Sequence, residues 1–145
     1  MKLLIDSNVI LDYMLEREPF FEMAKNVLNL AEKDDDITEF ISASAVTDIN
    51  YIAYRTLKNR DLVYSLIKKV LKMVNVATVT NEEITNALNL NWKDFEDAVQ
   101  YSVALSNGMD AIITRNMKGF SQGEVKICTP EEILDFIKNE TLEAK

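Results

Sequence analysis

Short, mostly apolar stretches recur along the chain, and segments with helical periodicity separate them. The stretches at residues 2–5, 39–42, 74–79, 111–114 and 125–128 have the length and composition of buried strands. Strands that alternate with helices pair in parallel, because a right-handed helical crossover returns the chain to the same end of the sheet. The sequence therefore predicts an α/β fold: a three-layer α/β/α sandwich with a mostly parallel sheet of about five strands.

Capping residues and apolar positions three or four residues apart mark the helices between these strands. The polar triplet 6–8 suits the start of one helix, and Ser44 suits the cap of the next. Capping boxes begin at Thr80 and at Thr129. The predicted helices cover residues 9–15, 20–32, 44–57, 62–73, a short segment after 80, 95–106, and a last segment from 130.

The length of the chain suits one compact domain, residues 1–145. A chain of this size buries about 68–70% of its unfolded surface without help from a disulfide. Cys128 is the only cysteine, so we expect it to be a core thiol in a reducing compartment. Residues 1–6 do not resemble a signal peptide, and no apolar stretch approaches the ~18 residues of a membrane span. We therefore expect a soluble, cytoplasmic protein with no membrane contact.

The formal net charge of −8 limits the kinds of partner. Broad, sequence-independent binding of nucleic acid relies on basic surface that releases counterions, and this chain is acidic. The charge does not exclude an enzyme that holds a short strand beside a bound metal. Candidates for contact with RNA phosphates are Arg115 and Lys118, with Arg55, Lys58, Lys68, Lys69 and Lys72 as a more distant path.

Acidic side chains lie where the strands are expected to end or the helices to begin. Asp6 follows the first strand, Asp48 lies early in the helix after the second, and Asp94 and Asp97 are three residues apart at the start of the 95–106 helix. In a parallel sheet these positions face the edge at which ligands bind. Carboxylates in a chain without histidine suit a hard cation such as Mg²⁺ or Mn²⁺. One of Asp94 and Asp97 is expected to cap that helix, and we favour Asp97 as a ligand and Asp94 as its support.

Polar residues also follow the fourth strand, as Thr114, Arg115 and Asn116. Thr114 is positioned to orient a ligand by hydrogen bonding, and Arg115 is positioned to contact phosphate. Asp12 is expected to be a surface acid or a supporting one.

Four segments resemble the successive motifs of a PIN domain: LIDSNVILD at 4–12, ISASAVTD at 41–48, DFEDAVQ at 94–100 and ITRNMKGF at 113–120. The ordered set extends over essentially the whole chain. The resemblance implies a Mg²⁺- or Mn²⁺-dependent ribonuclease, most often the toxin of a toxin–antitoxin pair of the VapC type. It also implies a homodimer, an RNA substrate and a possible antitoxin protein as partner.

By this resemblance Asp6, Asp48 and Asp97 occupy the acidic metal-binding positions, and Asn116 completes the catalytic set. Two positions depart from the common pattern. The second acid is commonly Glu, and the shorter Asp48 is expected to reach a metal through water. The fourth is commonly Asp, although one PIN subgroup resembles this chain in reading Thr-Arg-Asn. Asn116 removes one negative charge and weakens the case for a second metal.

The implied reaction is hydrolysis of a phosphodiester bond. A metal lowers the pKa of water and offsets the charge that accumulates on the phosphate. Carboxylates packed together raise the pKa of at least one of their number by mutual repulsion. Because the chain has no histidine, the role of general base falls to a carboxylate or to water activated by the metal.

Other functions fit the residues less well. A haloacid-dehalogenase-type phosphatase needs a second Asp two positions after Asp6, where this chain has Asn8. A receiver domain needs an acidic pair at the same strand end. The remaining alternative is a weak or inactive PIN-like module that docks a protein or RNA, with Asn116 marking a degenerate site. The sequence leaves open the RNA target and the choice between a toxin and a housekeeping nuclease.

Overall fold

The computed structural model describes residues 1–120 and 124–143, and within these ranges it contains one sheet of five strands. The strands are β1 (Lys2–Ile5), β2 (Thr38–Ser42), β3 (Asn75–Ala77), β4 (Ala111–Ile113) and β5 (Lys126–Cys128). They lie in the order β3-β2-β1-β4-β5, and every neighbouring pair is parallel. The predicted α/β fold with a parallel sheet is confirmed.

The helices that flank the sheet are α1 (Ser7–Met14), α2 (Phe21–Leu28), α3 (Leu30–Lys33), α4 (Ala43–Leu57), α5 (Arg60–Met73), α6 (Asn81–Leu90), α7 (Phe95–Ser106) and α8 (Pro130–Glu143). A turn of 3₁₀ helix covers Met117–Phe120. Strand β1 and helix α7 have the predicted bounds. In the part of the chain that the structure describes, no helix is long and apolar enough to cross a membrane.

Helices α1 and α5 each begin two residues before the predicted start, at Ser7 and Arg60. Two further predicted boundaries are wrong for a structural reason. The single helix predicted over 20–32 is divided at Asn29, where the backbone leaves the α-helical region and Ala31 then donates its N–H to the side chain of Glu39. The helix expected to start after Ser44 begins at Ala43 instead. Ser42 occupies its cap position, and the two serine hydroxyls bond to each other at 2.7 Å.

Alternate residues of each strand face two separate cores. Leu3 and Ile5 face α1, α2, α4, α5 and α8, whereas Leu4 and Ile112 face α6 and α7. Fully burying a large apolar side chain contributes roughly 1.5–3 kcal/mol, so both faces of the sheet stabilise the fold. Cys128 is a free, buried thiol, as expected.

The crevice that positions the site lies between β1 and β4. The chain leaves β1 toward β2 and β3 on one side, and β4 and β5 complete the sheet on the other. Open parallel sheets bind ligands at such a reversal of strand order, outside the carboxyl ends of the strands. Asp6 lies at this point, and its N–H donates to the carbonyl of Ile113 at 2.9 Å.

Glu39 on β2 is a carboxyl group inside the larger core, with 0% of its surface exposed. Its Oε1 accepts the Ala31 N–H at 3.2 Å. Its Oε2 has no hydrogen-bond partner among the described residues. Burial raises the pKa of Glu39 to about 7, and the bond from Ala31 opposes that rise only in part. The folded chain therefore holds this proton more tightly than the unfolded chain does.

We expect Glu39→Gln to stabilise the protein at neutral and alkaline pH, and much less at acidic pH. The folded pKa is raised, so Glu39 costs no stability below its unfolded pKa; the cost grows between the unfolded and the folded pKa and levels off above about 7. A shift of this size corresponds to about 3 kcal/mol at pH 8, and little at pH 5. Urea unfolding at the two pH values measures the difference, with exposed Glu22→Gln as the control. An equal gain at both pH values would rule out the cost of a buried charge.

Candidate active site

Asp6 is the most constrained side chain in the crevice. It ends β1, caps α1, and is only 5% exposed. Its Oδ1 accepts the Ser7 N–H at 2.7 Å and Gln100 Nε2 at 2.8 Å, and its Oδ2 accepts the Thr114 hydroxyl at 2.6 Å. These donors fix the orientation of the carboxylate and stabilise its charge. A lone pair on Oδ2 remains available to a further partner.

Asp97 reaches the same crevice from the first turn of α7. Asp94 caps that helix, as predicted, and its Oδ1 accepts the Asp97 N–H at 3.1 Å. The Asp97 side chain is buried, and its Oδ2 has no hydrogen-bond partner within the described residues. Burial, followed by the negative charges of Asp94, Asp6 and Glu96, raises the pKa of Asp97 to about 7. An uncompensated carboxylate of this kind is stabilised by a cation.

Gly119 allows the chain to pass directly over Asp97. A Cβ atom at this position would lie 2.3 Å from Asp97 Oδ2 and 3.1 Å from Asn116 Nδ2. The first distance is far inside van der Waals contact, so any larger residue would push the carboxylate away. The 3₁₀ turn Met117–Phe120 therefore closes one side of the crevice, and Asn116 lies next to Asp97 as part of that side.

Thr114 orients Asp6 by a hydrogen bond, and its predicted role toward a ligand stays a prediction. It is fully buried at the end of β4. Its hydroxyl donates to Asp6 and accepts the Asn116 N–H at 2.9 Å, and Asn8 Nδ2 lies 3.4 Å away. The residues on either side of the crevice are thus held in one hydrogen-bonded network.

Asp48 lies apart from this network, on the exposed side of α4. The buried stripe of α4 consists of Ala45, Ile49 and Ala53, at intervals of four residues. Asp48 is one position before Ile49 and is therefore rotated about 100° toward solvent. Its charge contributes to the raised pKa of Glu96 but not to that of Asp97. Its role as a metal ligand stays a prediction.

Two further polar residues belong to the site and have no role in the sequence-based prediction. Glu96 Oε1 accepts the Ser7 hydroxyl at 3.2 Å; burial and then the charge of Asp48 raise the Glu96 pKa. Gln100 is fully buried and donates to Asp6. The available signal for Gln100 was its spacing, because it lies one helical turn after Asp97 on the same face. The available signal for Glu96 was its position in the first turn of the same helix.

Arg115 points away from Asp97, toward α1 and α2. Its Nε and Nη2 donate to the two carboxylate oxygens of Asp12 at 2.6 and 3.1 Å. Its Cζ lies 3.9 Å from the centre of the Phe20 ring. Asp12 is 1% exposed and also has Arg17 Nη1 at 3.7 Å. Of the two roles expected for Asp12, the surface acid is therefore wrong and the supporting acid fits, since it holds Arg115.

The residues around Asp6 and Asp97 fit a divalent cation. Each carboxylate retains an oxygen that is able to bind a cation. The residue that lies over Asp97 is Gly119, which has no side chain to fill the space. Mg²⁺ usually binds through one or two carboxylates, and water and substrate phosphate complete its shell. Among residues 1–120 and 124–143, no group of three or more His, Cys, Asp or Glu is arranged to hold a metal ion. The residues therefore suit a cation that is bound by two carboxylates and by water, rather than a cation whose ligands all come from the protein.

The fold and this crevice define a parallel α/β domain with a carboxylate site at its topological switch point. A sequence model of the PIN domain matches residues 2–118, and the chain belongs to the PIN domain family.

Individual proteins resemble the chain over most of its length. Ribonuclease VapC1 of Aquifex aeolicus (strain VF5) is 29% identical over 141 residues, which cover 92% of this chain and 94% of that protein. The structure of VapBC2 from Rickettsia felis bound to a DNA fragment of its promoter superposes with a TM-score of 0.72 and 16% identity, covering 89% and 98% of the two chains. VapC20 of Mycobacterium tuberculosis, a toxin that cleaves the sarcin-ricin loop, superposes with a TM-score of 0.68 and 16% identity. The match covers 87% of this chain and 98% of VapC20.

Proposed function

We propose that this protein is a metal-dependent endoribonuclease that hydrolyses RNA phosphodiester bonds. The observation that supports this best is the unpartnered Oδ2 of Asp97 beside the charged network around Asp6. Membership of the PIN domain family and the likeness to a ribonuclease support the same reaction. PIN ribonucleases generally use a divalent metal, and the oxygen ligands here favour Mg²⁺ or Mn²⁺.

When bound, a divalent cation offsets phosphate charge and makes water a better nucleophile. The side chains of Asp6 and Asp97 would hold the cation, and Asn116 would contribute a neutral amide beside them. Ser7, Gln100 and Thr114 fix Asp6, so the carboxylate is already oriented before RNA arrives. Asp48, exposed on α4, reaches the site through water.

We further propose that the protein acts as the toxin of a toxin–antitoxin pair. The likeness to Ribonuclease VapC1 and to the toxin VapC20 supports this role. An antitoxin protein is the corresponding partner, and the chain forms a homodimer. Exposed aromatic side chains on α4 and α5 are consistent with a second subunit, since Tyr51, Tyr54 and Tyr64 are 61%, 49% and 50% exposed.

The purified chain is expected to cleave single-stranded RNA in Mn²⁺ or Mg²⁺, to lose that activity in EDTA and to regain it when metal is restored. RNA labelled at either end distinguishes internal cleavage from trimming. Asp61→Asn, at an exposed carboxylate on α5, is the matched control and should behave as the parent. If the parent leaves a range of RNA sequences intact in both metals, the inactive interaction module becomes the better explanation.

A further inference from the structure

A second depression opens beside the carboxylate crevice, at the same edge of the sheet. It has a volume of about 300 Å³ and is lined by Asp12, Phe20, Met23, Arg115, Pro130 and Glu131. Its size is at the lower end of the roughly 300–1,000 Å³ typical of small-ligand sites. Arg115 follows directly after Thr114, which donates to Asp6. The depression and the candidate active site therefore share one short segment of chain.

The Arg115 guanidinium group is fixed before any ligand binds. Asp12 holds it through two hydrogen bonds, and the Arg115 Cζ lies 3.9 Å from the centre of the Phe20 ring. Within the part of the chain that the structure describes, Nη1 forms no hydrogen bond, and the side chain is 31% exposed. A planar guanidinium with unused donors binds phosphate or a base edge with little further loss of side-chain freedom.

Apolar side chains form the floor of the depression. Phe20 is 36% exposed and Met23 is 41% exposed, although both lie next to buried parts of α2. Unstacked RNA bases bind proteins by stacking on aromatic rings and on arginine planes. The Arg115–Phe20 stack offers both kinds of surface together.

The unused donors of Arg115 favour a nucleotide over an apolar segment of protein. Arg115 and Arg17 lie on this side of the carboxylate site, and the acid between them, Asp12, is buried and already paired with both. The remaining acid on the rim is Glu131, whose carboxylate suits the amino group of a base. Cation, aromatic ring and carboxylate thus match the phosphate, base and base edge of one nucleotide.

We propose that this depression is a subsite for a single-stranded RNA nucleotide next to the bond that is cut. The base stacks on the exposed part of the Phe20 ring, outside its contact with Arg115, and Nη1 of Arg115 contacts the adjoining phosphate. Glu131 accepts a hydrogen bond from a donor on the edge of the base. The proposal rests on the proposed ribonuclease function and adds the groups that hold one nucleotide of the substrate.

Equilibrium binding of a short RNA that resists cleavage, with 2′-O-methyl groups, tests the subsite apart from catalysis. Phe20→Leu removes the ring at a partly exposed position and should weaken binding about tenfold, the usual effect of losing one base–aromatic stack. Arg115→Lys retains the charge but loses the planar fork, and should weaken binding similarly. Phe136→Leu removes a ring of similar exposure (39%) on α8, beside Met1 and Asp110, and is the matched control that should bind as the parent.

Because Asp12 is buried, Arg115→Lys risks a loss of stability, and melting curves accompany each variant. Phe20→Leu, which leaves the ion pair in place, keeps the test decisive. Parental affinity in Phe20→Leu, or no binding by the parent, overturns the subsite and favours a protein segment as the occupant. A parent that binds this RNA through Phe20 but cleaves no natural RNA would preserve the subsite and contradict the ribonuclease function.

Discussion

Asp6→Asn and Asp97→Asn should each reduce metal-dependent RNA cleavage by at least about 10³-fold, because a cation at a phosphoryl centre contributes several kcal/mol and each 1.4 kcal/mol is tenfold in rate. The two carboxylates meet in the crevice between β1 and β4, and the amide is a poor replacement for a charged ligand. Initial rates on one labelled RNA at saturating Mn²⁺ measure the loss.

Asp94→Asn is the informative companion to these variants. Asp94 caps α7 and supports Asp97 through the backbone, so its replacement should leave a measurable rate. Asn is itself a good helix cap, which keeps α7 in place. A result in which Asp6→Asn and Asp97→Asn cleave at the parental rate would remove both from the metal site.

Metal binding should also appear as thermal stability, without any RNA. A cation that binds only the folded chain stabilises it by RT ln(1 + [L]/Kd), or about 2.7 kcal/mol at a hundredfold excess over Kd. We therefore expect the melting temperature of the EDTA-treated protein to rise in millimolar Mn²⁺. Asp97→Asn should lose most of that rise, and without metal it should be at least as stable as the parent at pH 8, since it lacks a buried negative charge.

The metal increment should depend on pH in a defined direction. The pKa of Asp97 is raised to about 7, so the metal-free folded chain is stabilised by the bound proton at low pH and loses that stability as the pH rises through 7. The cation needs the deprotonated carboxylate. The difference between melting curves with and without Mn²⁺ should therefore widen from pH 5.5 to pH 8. If the difference is constant from pH 5.5 to pH 8, the cation does not bind through the Asp97 carboxylate.

Local signals account for what could be predicted of the fold. Apolar runs marked the strands, and Asp94 marked the start of α7, because capping depends on residues only a few positions apart. The break at Asn29 was missed because it adjoins a bond from Ala31 to Glu39, on a different element. At Asn29, a contact between separate elements rather than the local sequence decides where the helix ends.

The candidate site divides in the same way. Asp6 and Asp97 were predicted as candidate site residues because they lie at a strand end and at a helix start. Open parallel sheets bind ligands at the edge where these positions lie. Glu96 and Gln100 were missed because their contacts, Ser7 and Asp6, lie 89 and 94 residues away in the chain. Whether Asp48 joins them depends on the rotation of α4, which its apolar stripe sets.

The sequence by itself determined the element types, the parallel α/β class and the acids at the carboxyl ends of the strands, because periodicity and capping act within a few residues. Only the tertiary structure decided which of these side chains meet. The order β3-β2-β1-β4-β5 brings Arg115 to Asp12 across 103 positions and leaves the Asp97 carboxylate buried with an unpartnered oxygen. Such pairings follow from how strands and helices pack, and no local pattern encodes them.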